Sequence, residues 1–164
     1  MKRLLITATC LLAVASAAQA AEVTRYPLPN NSTFPIASSV EVSGGSLVFE
    51  SGKVPAPLNP DAPEGSAEYW GNTEQQSDSV LAQIEASLKS KGLDMSDVIK
   101  MTVFLVGDPA KGNKMDFGGF MQSYTRYFGT KAQPNLPSRS AVQVAGLAGD
   151  GMLVEIEVIA FRPE

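Results

Sequence analysis

Histidine is absent from this chain of 164 residues, and its only cysteine, Cys10, lies in an apolar run at the N-terminus. Met1-Lys2-Arg3, the apolar stretch from Leu4 to Ala15 and the small residues Ala18-Gln19-Ala20 have the pattern of a secretory signal peptide, which is expected to occupy residues 1–20. The stretch is too short to span a bilayer, and no small-residue context for lipidation precedes Cys10. Cleavage near Ala20 leaves residues 21–164 as one domain with enough chain for a core. That domain has no thiol nucleophile, no disulfide, no imidazole base and none of the His or Cys ligands of a zinc site, so triad hydrolases and zinc enzymes are excluded and neither metal nor cofactor is expected. A periplasmic or secreted protein is expected, with no membrane association after cleavage.

Positive charge is also scarce. Without Lys2 and Arg3, 11 basic residues face 17 acidic ones, a net charge of −6. The basic residues are scattered, whereas nucleic-acid binders carry a basic footprint. No nucleic-acid partner is expected, and RNA cleavage ranks behind the readings below.

The elements that the chain does contain read as α+β. Residues 21–26 fit an edge strand, ended by Pro27, Pro29 and Asn30-Asn31. Val40 to Val42 and Leu47 to Glu50 flank Ser43-Gly44-Gly45-Ser46 and predict a hairpin. The stretch from Pro55 to Gly71 has no period. A helix is predicted from Thr73 to Lys91, capped by Asn72 or Thr73 with Gln76 completing a capping box from Thr73, and with Val80, Leu81, Ile84 and Leu88 as its apolar stripe. Val98 to Val106 reads as a strand. A second helix is predicted from about Asn113, carrying Phe117, Phe120, Met121, Tyr124, Tyr127 and Phe128 as core. Two strands follow, around Ser138 to Val144 and Leu153 to Ala160.

Those last strands contain the most informative charges. Side chains alternate across a strand, so Glu155 and Glu157 share one face of theirs, and Arg139 is in phase with Ala141 and Gln143. A charge in an apolar sheet is costly unless it is paired or used on a ligand. Arg suits bidentate binding of a carboxylate, which points to a small carboxylate-bearing ligand; an ordinary Arg to Glu bridge is the alternative. Two helices cover only one face of such a sheet. The other face is expected to carry Arg139, Glu155 and Glu157 among apolar neighbours and to be a subunit interface.

Four ordered pieces carry a family resemblance: Leu47-Val48-Phe49-Glu50-Ser51-Gly52-Lys53-Val54-Pro55, the stretch Gly92 to Leu105, Tyr124-Thr125-Arg126-Tyr127-Phe128, and Pro137-Ser138-Arg139-Ser140 with Glu155-Ile156-Glu157-Val158-Ile159-Ala160. Together they resemble the RidA/YjgF family of reactive intermediate deaminases. The resemblance implies a chorismate-mutase-like fold, a mixed six-stranded sheet with two helices on one face, and a homotrimer with ligand clefts between subunits. The implied reaction is hydrolysis of small 2-imino or 2-enamino acids to 2-keto acids and ammonia, of the 2-iminobutanoate/2-iminopropanoate deaminase type. By the same resemblance Arg139 holds the substrate carboxylate, Glu155 orients or activates water (its alternative role being counter-charge to Arg139), and the backbone at Gly52 and Ala141 lines the cleft.

Two positions depart from that pattern: Ser38 stands where family members often have tyrosine, and Ala141 where they often have cysteine. The stretches Pro55 to Gly71 and Gly107 to Lys114 also look longer than usual. Two functions remain open, an imine hydrolase acting on 2-imino acids made outside the cytoplasm by amino-acid oxidation, and a non-catalytic, carboxylate-binding or stress-protective trimer.

Overall fold

The structure, a computed structural model, describes residues 20–164, so the expected leader lies outside the described residues apart from Ala20. In chain order the elements are strands β1 (Glu22–Tyr26), β2 (Ser39–Ser43) and β3 (Ser46–Lys53), a one-turn helix α1 (Ala67–Trp70), helix α2 (Thr73–Lys89), strand β4 (Val98–Val106), helix α3 (Phe117–Tyr127) and strands β5 (Ser138–Val144) and β6 (Val154–Arg162). Four strands form a mixed sheet in the order β3-β6-β4-β5, in which only β4 and β5 run parallel. A parallel neighbour needs a crossover, and α3 lies in it.

The six expected strands all form, but not as one sheet. β1 and β2 pair antiparallel as a separate ribbon, from Glu22 opposite Ser43 to Tyr26 opposite Ser39. The hairpin expected across residues 43–46 is therefore corrected: β2 pairs with β1, and β3 pairs with β6. Gly44 and Gly45, at φ of 64° and 83°, carry the chain from ribbon to sheet, and a side chain on Gly45 would collide with the carbonyl of Arg162 and the ring of Phe161. The ribbon is tied down by a bridge between Ala37 and Ser138 and by Arg25, whose guanidinium donates to the carbonyls of Leu136 at 2.7 Å, Ser96 at 2.8 Å and Val98 at 3.0 Å.

Helix α2 begins at the expected place, capped by Asn72, and its capping box closes through Gln75 rather than from Thr73 to Gln76. The Asn72 side chain accepts from the Gln75 backbone N–H at 3.0 Å, and the Gln75 side chain accepts from the Asn72 N–H at 3.0 Å. Gln76 is instead fully buried; it accepts from Leu153 N–H at 2.7 Å and donates to the carbonyls of Gly71 and Gly151. Helix α3 starts at Phe117 rather than Asn113, because Asp116 caps it and Asn113 adopts φ 59° within a turn closed by an Asp108 to Lys114 bridge. The aperiodic stretch before α2 is ordered in part by α1, whose Trp70 is buried and donates from Nε1 to the carbonyl of Asp150 at 2.8 Å.

Both long helices lie on one face of the sheet. Val80, Leu81, Ile84 and Leu88 of α2 and Phe120 and Tyr124 of α3 are fully buried against Met101, Val103 and Leu105 of β4 and Val154, Ile156, Val158 and Ala160 of β6. Each such aliphatic side chain contributes about 1.5–3 kcal/mol through burial. Glu50 also points to this face, where Lys91 Nζ lies 2.8 Å away and Ser87 Oγ donates to it at 2.8 Å, fastening the end of α2 to β3. Among the described residues no helix covers the opposite face, which exposes Phe49 by 70%, Leu47 by 46% and Val142 by 44%.

Register assigns the three charges of β5 and β6 to these faces. Met101 is opposite both Arg139 and Val158, which puts Arg139 on the helix-covered face. Phe104 is opposite Glu155 and Thr102 opposite Glu157, which puts both glutamates on the open face. The expectation that all three share the uncovered face is therefore corrected for Arg139.

Candidate functional site

Arg139 enters the helix layer at the edge of the sheet, where β5 has β4 on one side only. Phe117, Phe120 and Tyr124 recur at spacings of three and four along α3, so all three rings face the same strand. The guanidinium carbon stands 4.2 Å from the Tyr124 ring centroid, 5.0 Å from Phe120 and 5.6 Å from Phe117. Phe34, from the loop between β1 and β2, closes the cup at 5.6 Å. The quadrupoles of these rings favour a cation over their faces.

None of them neutralises it. Among the described residues no carboxylate forms an ion pair with Arg139, and its buried Nη1 has no hydrogen-bond acceptor. Burial pushes its pKa down, opposed by Tyr124. Burial likewise raises the Tyr124 phenol to about 12, against the pull of Arg139, and its hydroxyl donates to the Pro35 carbonyl at 2.9 Å. At neutral pH the cup thus holds a charged guanidinium over an un-ionised phenol. An unpaired donor in such surroundings is costly unless an anion completes it. Ala141, half-buried and opposite Val103, lies on the same face two residues further along β5.

Glu155 belongs to a second cluster, on the open face. Between Glu50 and Lys53 the register of β3 against β6 shifts, and Gly52 sits in this bulge against the Glu155 side chain. A β-carbon on Gly52 would collide with Oε1 of Glu155, so glycine here lets the carboxylate lie against the strand backbone. Glu155 is half-buried and takes part in no ion pair or side-chain hydrogen bond among the described residues. Beside this cluster, Glu157, Thr102, Lys100, Ser51, Phe49 and Ile159 line a groove of about 410 Å³.

The structure therefore brings Arg139 together with Ala141, and Glu155 together with Gly52, but separates the two pairs by the thickness of the sheet. Glu155 is not the counter-charge of Arg139 within a protomer. Ser38 is exposed and follows directly on the Ala37 to Ser138 bridge, beside the edge from which Arg139 projects. Sequence reasoning assigned Phe117, Phe120 and Tyr124 to the core alone and gave Phe34 no role. The available signal was an aromatic stripe on one helix together with a single cation in phase with apolar strand residues. Among the described residues no group of three metal-ligating side chains occurs.

Residues 31–162 match the family model described as Endoribonuclease L-PSP. A RutC family protein of Haemophilus influenzae is 36% identical over 118 residues, 72% of this chain and 81% of that protein. The 2-iminobutanoate/2-iminopropanoate deaminase of Escherichia coli is 34% identical over the same shares of the two chains. Among solved structures, Escherichia coli TdcF with bound serine aligns at a TM-score of 0.56 and 34% identity, covering 78% of this chain and 92% of that one. The family match spans β2, both long helices, the aromatic cup and the Gly52 to Glu155 contact, and the chain belongs to the RidA/YjgF family, the family of the Endoribonuclease L-PSP model.

Proposed function

We propose that the protein hydrolyses small 2-imino and 2-enamino acids to 2-keto acids and ammonia, at sites formed between the subunits of a homotrimer. The observation that carries this reading is the charged guanidinium of Arg139 inside an aromatic cup, with no carboxylate paired to it and no acceptor for its buried Nη1 among the described residues. A planar carboxylate supplies the acceptor that Nη1 lacks and can bind the guanidinium fork in bidentate fashion. The names of the relatives support the chemistry, since one acts on 2-iminobutanoate and 2-iminopropanoate and another is seen with bound serine, an amino acid with a free carboxylate.

In this reading Arg139 holds the substrate carboxylate while water adds to the adjacent C=N carbon, an enamino acid first moving a proton from nitrogen to its β-carbon to give the imine. Glu155 of a neighbouring subunit takes a proton from the attacking water and delivers one to the nitrogen. The new hydroxyl then passes its proton by way of Glu155 to the amino nitrogen, the C–N bond breaks with its electron pair leaving on nitrogen as ammonia, and the C=O of the keto acid forms. Water is the only co-reactant and no electrons are exchanged. Backbone N–H groups at Gly52 and Ala141 line the cleft, with Ser38 at its rim. The exposed Phe49 and Leu47 at one edge of the open face and Val142 at the other support assembly through that face, because large apolar side chains left in water favour burial at an interface. With the leader pattern of residues 1–20, we place the enzyme in the periplasm or outside the cell, acting on imino acids formed there by amino-acid oxidation.

A second reading, a carboxylate-binding or stress-protective trimer without catalysis, is favoured by one observation: within a protomer Glu155 cannot reach a ligand held at Arg139. The two readings are separated by following keto-acid formation as an amino acid is oxidised in situ. Hydrolase activity predicts acceleration over the uncatalysed rate, abolished by Arg139→Ala. No acceleration across several amino acids, with 2-keto acids still bound and released by Arg139→Ala, leaves the binding function.

A further inference from the structure

Phe34 is a large apolar side chain, 41% exposed, at a position where solvent contact serves no packing purpose. It is nevertheless rigidly placed. The Ser32 hydroxyl accepts from its N–H at 3.3 Å, its carbonyl accepts from Ile36 N–H at 2.8 Å, Pro35 follows it, and the Ala37 to Ser138 bridge anchors the segment to β5. Its ring stacks on Phe117, with centroids 6.3 Å apart and planes at 21°, and both rings stand 5.6 Å from the Arg139 guanidinium carbon.

The four rings of the cup are not equivalent. Phe120 and Tyr124 are fully buried and form its floor, whereas Phe34 is exposed and Phe117 half-buried. Phe34 and Phe117 are thus the rings of the cup nearest solvent, and a ligand that reaches Arg139 from that side meets them first. A polar group laid against these rings meets aromatic carbon, while an apolar side chain there is removed from water. A fixed ring also costs little conformational entropy on binding.

We infer that Phe34 and Phe117 form a specificity wall that selects 2-imino acids with a bulky branched or aromatic side chain, of the kind derived from leucine or phenylalanine, over those derived from alanine or serine. This rests on the assignment of Arg139 as the carboxylate anchor and adds the substrate class. The reaction is the same exchange of water for ammonia.

The test compares kcat/KM for imines generated in situ from leucine and from alanine, and in parallel the calorimetric affinities for 4-methyl-2-oxopentanoate and pyruvate. The wild-type protein is expected to favour the larger compound about tenfold or more in each comparison. In Phe34→Ala that ratio falls to near unity, and in Phe34→Tyr it is retained because the ring remains. A ratio near unity in the wild-type protein, or one that Phe34→Ala leaves unchanged, overturns the wall. Loss of both compounds in equal proportion overturns it too, since Phe34 would then only hold Arg139 in place. Failure of the underlying assignment looks different: Arg139→Ala would turn over or bind both compounds as well as the wild type does. The calorimetric comparison decides the wall even where no turnover is seen.

Discussion

Arg139 and Glu155 project from opposite faces of one sheet, the first opposite Met101 among the helices and the second opposite Phe104 on the open side. A backbone lies between them, and no rotamer of either side chain joins them around one small ligand. If both act on the same substrate, they come from different subunits, as in a cyclic assembly where each interface is built from two distinct patches.

The open face is thus expected to drive assembly. Phe49 is 70% exposed and contributes little to the fold of one protomer. Phe49→Asp is expected to leave the circular-dichroism spectrum and Tm of the protomer nearly unchanged while shifting the mass by light scattering from trimer to monomer, with loss of activity. An unchanged mass would place the interface elsewhere.

Gly52 tests the second cluster separately. The three atoms nearest to a methyl group at this position all belong to the side chain of Glu155, which can swing away. Gly52→Ala is therefore expected to lower Tm by only about 2–4 °C while cutting kcat at least about tenfold through displacement of the carboxylate. Thermal melts and steady-state rates on the same preparation check both halves.

Much of the scaffold was legible in the sequence because it is periodic. The apolar stripe of α2 and the alternation along β4 and β6 each state a partner and a face. The site was less so. Parity put Arg139 in phase with Ala141 and Gln143, yet both faces of β5 mix polar with apolar residues, and only its parallel register with β4 shows which one the helices cover. Phe34 lies in a segment broken by Pro and Asn, where no period exists to place a side chain. The β2 to β3 turn misled for a related reason: two glycines at positive φ suit a tight hairpin, but they also suit a chain stepping between sheets.

Acid stability is expected to run through Glu50. Its burial opposes ionisation, but Lys91, the Ser87 hydroxyl and Lys53 outweigh this and hold the carboxyl below its usual range. A carboxyl with a depressed folded pKa stabilises the protein above its unfolded value near 4.5, and this contribution is lost as the pH falls through the folded value. From about pH 6 down to about pH 3, the wild-type protein is expected to lose more unfolding free energy in urea titrations than Glu50→Gln does. Equal losses would show that the Lys91 pairing contributes nothing.

The most direct measurement is subunit complementation. Arg139→Ala and Glu155→Gln are each expected to be inactive as pure proteins. When the two are unfolded, mixed in equal amounts and refolded together, random trimers place an intact Arg139 beside an intact Glu155 of the next subunit in about one quarter of the sites, so about one quarter of wild-type activity returns. A mixture as inactive as its components would contradict the shared site, as would full activity of Glu155→Gln alone.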